Sequence, residues 1–311
     1  MSSPAPFLRL CALGLGCVLL LAGCGKKSST AADAKTAAAA PDMEADLART
    51  VREQASFYQF KTAADLPATG LNWVNGSDLP EFADLNAKKG GTFNYYIADF
   101  PRTLRTLGPD ATGGIREYIL DYVAMQFMHA HPNIPDKLFP GLAKEWAVDL
   151  PNKTVYIRID PAARWSDGIP VTTADVVFTF YYMRSPFLDE PWNNDFYTKK
   201  YEKLTIYDDH TFALTMTERK PDMDSYAGSI APYPRHAFKD FGPGWEERFQ
   251  WRVIPTSGAY TILDKDIDRG RAITLTRLDN WWAKDRPFWR GRYNPDKVRL
   301  EVIRDPDKTA E

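Results

Sequence analysis

Trp165-Ser-Asp-Gly-Ile-Pro-Val-Thr-Thr-Ala-Asp-Val-Val-Phe-Thr-Phe180 is the stretch of this 311-residue chain whose reading decides the fold. An aromatic anchor leads into a tight turn and then into a capped helix. Asp167-Gly168 supplies the turn, because Gly tolerates positive φ, and Pro170 stiffens its exit. Thr172 opens the helix, with Asp175 three residues on facing the positive end of the helix dipole. Val176, Val177, Phe180 and Met183 follow as an apolar stripe at helical spacing. Just upstream, Thr154-Val-Tyr-Ile-Arg-Ile159 alternates as a half-buried strand does.

Outward from this block, strands and helices alternate along the chain. Gly90-Gly91 ends a polar stretch, and Thr92–Ile97 follows as a strand. Gly114 to Met128 reads as one amphipathic helix through Ile115, Ile119, Tyr122, Val123 and Phe127. Leu204–Tyr207 and Thr211–Met216 form a hairpin about the polar turn Asp208-Asp209-His210. Tyr260–Leu263 and Ile273–Arg277 form a second, and Asp296–Asp305 reads as a further strand. Met43 to about Lys61 has Leu47, Val51, Ala55 and Tyr58 on one side of a polar helix. No repeat of 20–50 residues is present.

Together with Gly141-Leu-Ala-Lys-Glu-Trp146, the 165–180 block resembles the signature region of the family 5 extracellular solute-binding proteins, the peptide, nickel and oligosaccharide receptors of ABC importers. Glu81 to Phe93 resembles the approach to the first strand in the microcin C and oligopeptide branch. Pro101-Arg-Thr-Leu-Arg105 stands where the family has a cleft-lining Pro-x-Thr-Leu-x-Pro segment, with the last Pro displaced to Pro109. Ser257-Gly-Ala-Tyr260 is similar to the family's Thr-Gly-Pro-Tyr, and Asn280-Trp-Trp282 to its Asn-x-x-Tyr-Trp. Arg290-Gly-Arg-Tyr-Asn294 favours the microcin C-like branch.

This resemblance implies an α/β fold of the class II periplasmic-binding-protein type. Residues 81–304 are expected to form the first lobe, with a mixed sheet, hairpins and flanking helices. Residues 305–311 are expected to begin a crossover to a second lobe that the sequence does not contain, so the chain reads as an N-terminal portion. The implied function is the substrate-binding component of an ABC importer of peptides or peptide-like solutes, a monomer working with a permease and an ATPase. Its ligand contacts are expected at Tyr96, Asp99, Thr103, Leu104 and Arg105. In the family, the carboxylates of the signature block make caps and turns and do not touch ligand.

The N-terminus indicates location. Cys11, Cys17 and Cys24 are the only cysteines, so the rest of the chain needs no oxidising compartment. Residues 10–22 are apolar, the length of a signal-peptide core and too short to span a bilayer. The run ends in Leu21-Ala-Gly-Cys24, which looks like a bacterial lipobox. Residues 1–23 are therefore expected to be a lipoprotein signal, with lipid attached at Cys24 and residues 24–80 forming a tether and N-terminal extension. The protein is placed on the periplasmic side of the envelope; Gly25 leaves the choice of inner or outer membrane open.

Charge and motif content narrow the remaining classes. The 39 Lys and Arg nearly cancel 41 Asp and Glu, whereas a nucleic-acid binder concentrates basic charge. His129-Ala-His131 can converge on a strand, but no cysteine or third histidine joins it, so no metal site and no cofactor are expected. Ser257 lacks a nucleophile-elbow sequence, and no Gly-Lys-Ser/Thr phosphate loop occurs. No catalytic residue is assigned. The alternatives are a cell-envelope hydrolase using Asp or Glu, and a structural lipoprotein that has lost ligand binding.

Overall fold

The helix opened by Thr172 is almost wholly buried. The computed structural model describes residues 41–304. The signal segment, Cys24, most of the tether and the crossover at Asp305 lie outside them. Helix α1 (Met43–Glu53) leads to strand β1 (Tyr58–Phe60). After a long loop come β2 (Thr92–Ile97), α2 (Ile115–Tyr118) with a π-helical turn over Ile119–Val123, and the paired β3 (Met128–Ala130) and β4 (Leu138–Pro140). Strands β5 (Ala143–Asp149) and β6 (Thr154–Ile159) precede α3 (Thr173–Arg184) and α4 (Pro191–Lys199). Then follow β7 (Tyr201–Ile206), β8 (Thr211–Met216), α5 (Met223–Gly228) and α6 (Trp245–Phe249). Strands β9 (Tyr260–Thr261), β10 (Ile267–Asp268), β11 (Ala272–Arg277) and β12 (Lys297–Val302) complete the described chain.

Two five-stranded sheets organise these elements. The first runs β1-β7-β8-β6-β5, and only the β1–β7 pair is parallel. The second runs β10-β11-β12-β2, with β9 on β11 and with β12 and β2 parallel from Lys297↔Thr92 to Val302↔Ile97. Among the described residues strand β2 is an open edge of its sheet, with Phe93, Tyr95 and Tyr96 exposed and their rings following one another in stacked contacts.

The expected β7–β8 hairpin forms, pairing Leu204↔Leu214 and Ile206↔Phe212. Strand β6 departs from its half-buried reading. It is buried on both faces because a segment carrying Leu66, Leu71 and Trp73 covers Tyr156 and Ala147. Helix α3 likewise carries no exposed stripe; Thr173 and every residue from Asp175 to Met183 are buried, as befits a helix packed on all sides. The long helix expected over 114–128 stops at Val123. Ala124 is extended, Met125 N–H donates to Ser257 Oγ at 3.0 Å, and Gly258 N–H donates to Val123 O at 2.9 Å. A Cβ at Gly258 would stand 2.7 Å from Tyr122 O, so only glycine permits that approach. Residues 260–277 form short strands around a 3-10 turn at Asp264–Asp266 instead of one regular hairpin. Helix α1 ends at Glu53, and Tyr58 falls in β1 against Leu204. Thus residues 43–60, read as part of the extension, pack on the lobe.

The signature block folds as its chemistry dictates. Gly168 sits at φ +88°, its N–H donates to Trp165 O, and Asp167 Oδ1 accepts from Ile169 N–H. Asp175 Oδ2 accepts from Thr172 N–H at 2.9 Å and from the Trp165 indole at 3.3 Å, while Oδ1 accepts from Arg235 N–H at 2.9 Å. Burial pushes the Asp175 carboxyl above its usual range, and the bonds from Thr172, Arg235 and Trp165 pull it back. Removing it strands three donors in the interior, each at a cost of ~1–3 kcal/mol. Asp175→Ala is therefore expected to lose about 3 kcal/mol or more of unfolding free energy in urea denaturation. A loss below about 1 kcal/mol contradicts this role.

Candidate functional site

The loop that follows β2 is fastened before it can present side chains. Thr103 Oγ1 and Leu104 N–H both donate to Gln250 O, at 2.9 and 2.8 Å, and Arg105 N–H donates back to Thr103 Oγ1. The Arg105 guanidinium donates to Leu107 O and Pro109 O at 2.7 and 2.8 Å and lies 5.1 Å from the Trp245 ring centre. Partial burial lowers its pKa. Thr106 Oγ1 meets Tyr233 Oη at 3.0 Å.

Behind this loop is a cavity of about 120 Å³. Its floor is aromatic, formed by Tyr182, Tyr233, Phe238, Trp245 and Phe249, and Ile254 to Ser257 close another side. Tyr182 is buried and Tyr233 half-buried with its hydroxyl inside, which raises both phenols and keeps them neutral. Trp245 is fixed by donating to Phe187 O at 2.8 Å. The lining is largely apolar, and Thr256 Oγ1 is buried in it without a partner among the described residues. Arg252 reaches the lining and is held by a two-pronged ion pair with Asp240 at 2.6 and 2.7 Å. Such a space takes an apolar group: a dry cavity of roughly 150 Å³ holds benzene.

Of the residues expected to touch ligand, Leu104 and Arg105 line this cavity. Thr103 is buried and spends its hydroxyl on the Gln250 carbonyl. Tyr96 and Asp99 are exposed on and just after β2, outside the lining. Thr106, Tyr182, Tyr233, Trp245 and Thr256 escaped the sequence reading. The only local signal for them was the stiff Pro232-Tyr233-Pro234, which fixes a strap across the pocket. Ser257 Oγ is occupied by Met125 N–H, and its carbonyl by the Trp281 and Trp282 indoles at 3.0 and 3.2 Å.

The histidines go separate ways. His236 pairs with Asp167 at 2.8 Å, and His210 lies in the β7–β8 turn. His131 Nε2 meets Pro80 O at 2.9 Å. His129 is wedged between Phe139 and Trp289, and its Nε2 has no partner among the described residues. No group of three metal-ligating side chains forms among the described residues. Burial, aided by the Arg292 charge, lowers His129 to about 3. It is thus neutral in the fold, while the unfolded chain takes up a proton below its ordinary value of 6.5. Stability is lost as pH falls through the window between those values. The midpoint of thermal unfolding is expected to drop by several degrees from pH 6.5 to 4.5, and less so in His129→Phe. Equal slopes in both proteins overturn the assignment.

The family model for bacterial extracellular solute-binding proteins, family 5, matches residues 137–311. A protein of Brucella melitensis biotype 1 named only as a binding protein is 28% identical over 270 residues, which are 83% of this chain and 41% of that one. The periplasmic oligopeptide-binding protein OppA of Salmonella typhimurium is 25% identical over 244 residues, 71% of this chain and 39% of that one. The chain thus spans about two-fifths of the length of these relatives. Among solved structures, the ABC transporter substrate-binding protein CtaP of Listeria monocytogenes superposes with a TM-score of 0.56 at 20% identity, over 71% of this chain and 42% of that one. That likeness carries the fold: mixed α/β sheets amounting to one lobe of such a protein.

Proposed function

This chain belongs to the family 5 bacterial extracellular solute-binding proteins, and from that membership we propose that it is the substrate-capturing part of an ABC importer of peptides or peptide-like solutes. The cavity behind Leu104–Thr106 is the observation that carries the reading. Its size suits a branched aliphatic side chain, its walls are fixed before a ligand arrives, and Thr256 Oγ1 offers an acceptor for a ligand N–H. Pre-formed, mostly apolar pockets with a few placed polar groups are what side-chain recognition needs. The exposed Tyr96 and Asp99 then lie on the route of the rest of an extended ligand, whose backbone can pair with an open strand edge such as β2.

The ligand is held and handed to a permease with its ATPase, without turnover, by a monomer on the periplasmic side of the envelope. A lipid at Cys24 keeps it at the membrane surface, and residues 26–41 act as the tether.

Two measurements test this. A tripeptide library passed over the protein, followed by mass spectrometry, should show leucine- or valine-containing peptides retained intact; cleaved products would overturn the reading in favour of a hydrolase. Ala124→Phe, placed in the half-exposed cavity wall, should weaken that retention about tenfold or more, a loss of about 1.4 kcal/mol. For the anchor, Cys24→Ser should move the protein from the membrane pellet to the soluble periplasm, and a variant that still pellets after a high-salt wash contradicts lipidation.

A further inference from the structure

A second concavity lies between the approach to β2, the end of β11 and the 279–293 loop, and shares no lining residue with the solute cavity. Lys89, Arg277, Lys284 and Arg292 line it against one carboxylate, Asp279, with Trp281 and Trp289 as walls. Much of its charge is held in place by the fold. Arg277 is paired with Asp296, and its side chain is only 20% exposed. Arg292 is stacked on aromatic faces, its guanidinium carbon 4.7 Å from the Trp289 ring centre and 5.3 Å from that of Phe82. Arg277 Nε and Arg292 Nη1 are both buried with no acceptor among the described residues.

A buried donor without an acceptor is costly, more so on a cation. Two such donors beside the same small space, with two lysines on its rim, call for a negatively charged acceptor. Size then selects the class. The space is about 30 Å³, roughly twice what a single water needs, which suits the oxygens of one acidic group and excludes a ring. Guanidinium groups match planar or tetrahedral oxyanions through paired N–H donors. Because stacking and the Asp296 pair already fix both arginines, little side-chain freedom remains to be lost on binding.

We propose that this concavity is a binding site for a small oxyanion, a phosphate or carboxylate group, separate from the solute cavity. Isothermal calorimetry with sodium phosphate and with sodium acetate, each against sodium chloride at matched ionic strength, tests it on the full chain. Saturable one-to-one binding of either oxyanion, not reproduced by chloride, is expected. Arg277→Gln and Arg292→Gln should each weaken it about tenfold or more. Circular dichroism checks that these variants fold. Should either fail to fold, the double variant Lys89→Ala/Lys284→Ala, altered only at exposed residues, should still weaken binding about tenfold. The proposal is overturned by an absence of saturable heat with both anions, by chloride competing equally, or by unchanged affinity in the folded variants.

Discussion

Asp175 is the interaction on which the rest of the lobe depends. One buried carboxylate accepts from the Trp165 indole, the backbone of Thr172 just before α3 and the backbone of Arg235. One turn further along α3, Thr179 Oγ1 accepts from Tyr233 N–H at 2.9 Å while donating to Asp175 O. Two short polar side chains on α3, Asp175 and Thr179, therefore carry the Tyr233–Arg235 strap across it. The strap reaches on to α1, because the Arg235 side chain is paired with Glu44. Cap, turn, strap and N-terminal helix are thus one connected polar network inside an aromatic core. Such a network stabilises only when every member is satisfied, and here the donors facing Asp175 all are.

The strap is also what turns packing into a site. Pro232, Tyr233 and Pro234 line the cavity from one side, and the loop carrying Leu104 to Thr106 lines it from the other. The Thr106–Tyr233 hydroxyl contact joins the two. Arg105 gives Nη1 and Nη2 to carbonyls of its own loop, while Nε is buried without an acceptor among the described residues, so it serves as a brace more than as a free charge for a ligand. The shape and largely apolar lining of the cavity therefore fit an apolar group.

How far the fold was legible in the sequence followed the range of the interactions. The turn at Gly168, the cap at Asp175 and the β7–β8 hairpin rest on residues a few positions apart, and local spacing revealed them. The parallel partnership of β2 with β12 joins Thr92 to Lys297, far apart in the chain, which periodicity cannot register. The helix expected over 114–128 failed for the same reason: Ser257 and Gly258, far along the chain, take over its C-terminal hydrogen bonds. Strand β6 alternated in sequence, but a loop bearing Trp73 covers its second face, with Arg158 stacked on that ring. The Pro-x-Thr-Leu-like motif pointed to Leu104 and Arg105, which line the cavity. It could not reveal Tyr182, Tyr233 or Trp245, whose aromatic character fits any core position equally well.

Entry of a solute side chain into the cavity under the strap decides the proposed function. Of the nine tryptophans, Trp165 and Trp245 line it, whereas Trp192, Trp281 and Trp289 do not. Fluorine NMR of protein labelled with 5-fluorotryptophan, with each signal assigned by a Trp→Phe variant, reads these positions separately during titration with a retained leucine-containing tripeptide. The resonances of Trp165 and Trp245 should move together and saturate while those of Trp192, Trp281 and Trp289 stay in place. Saturable shifts confined to Trp192, Trp281 or Trp289, with Trp165 and Trp245 unmoved, would contradict it.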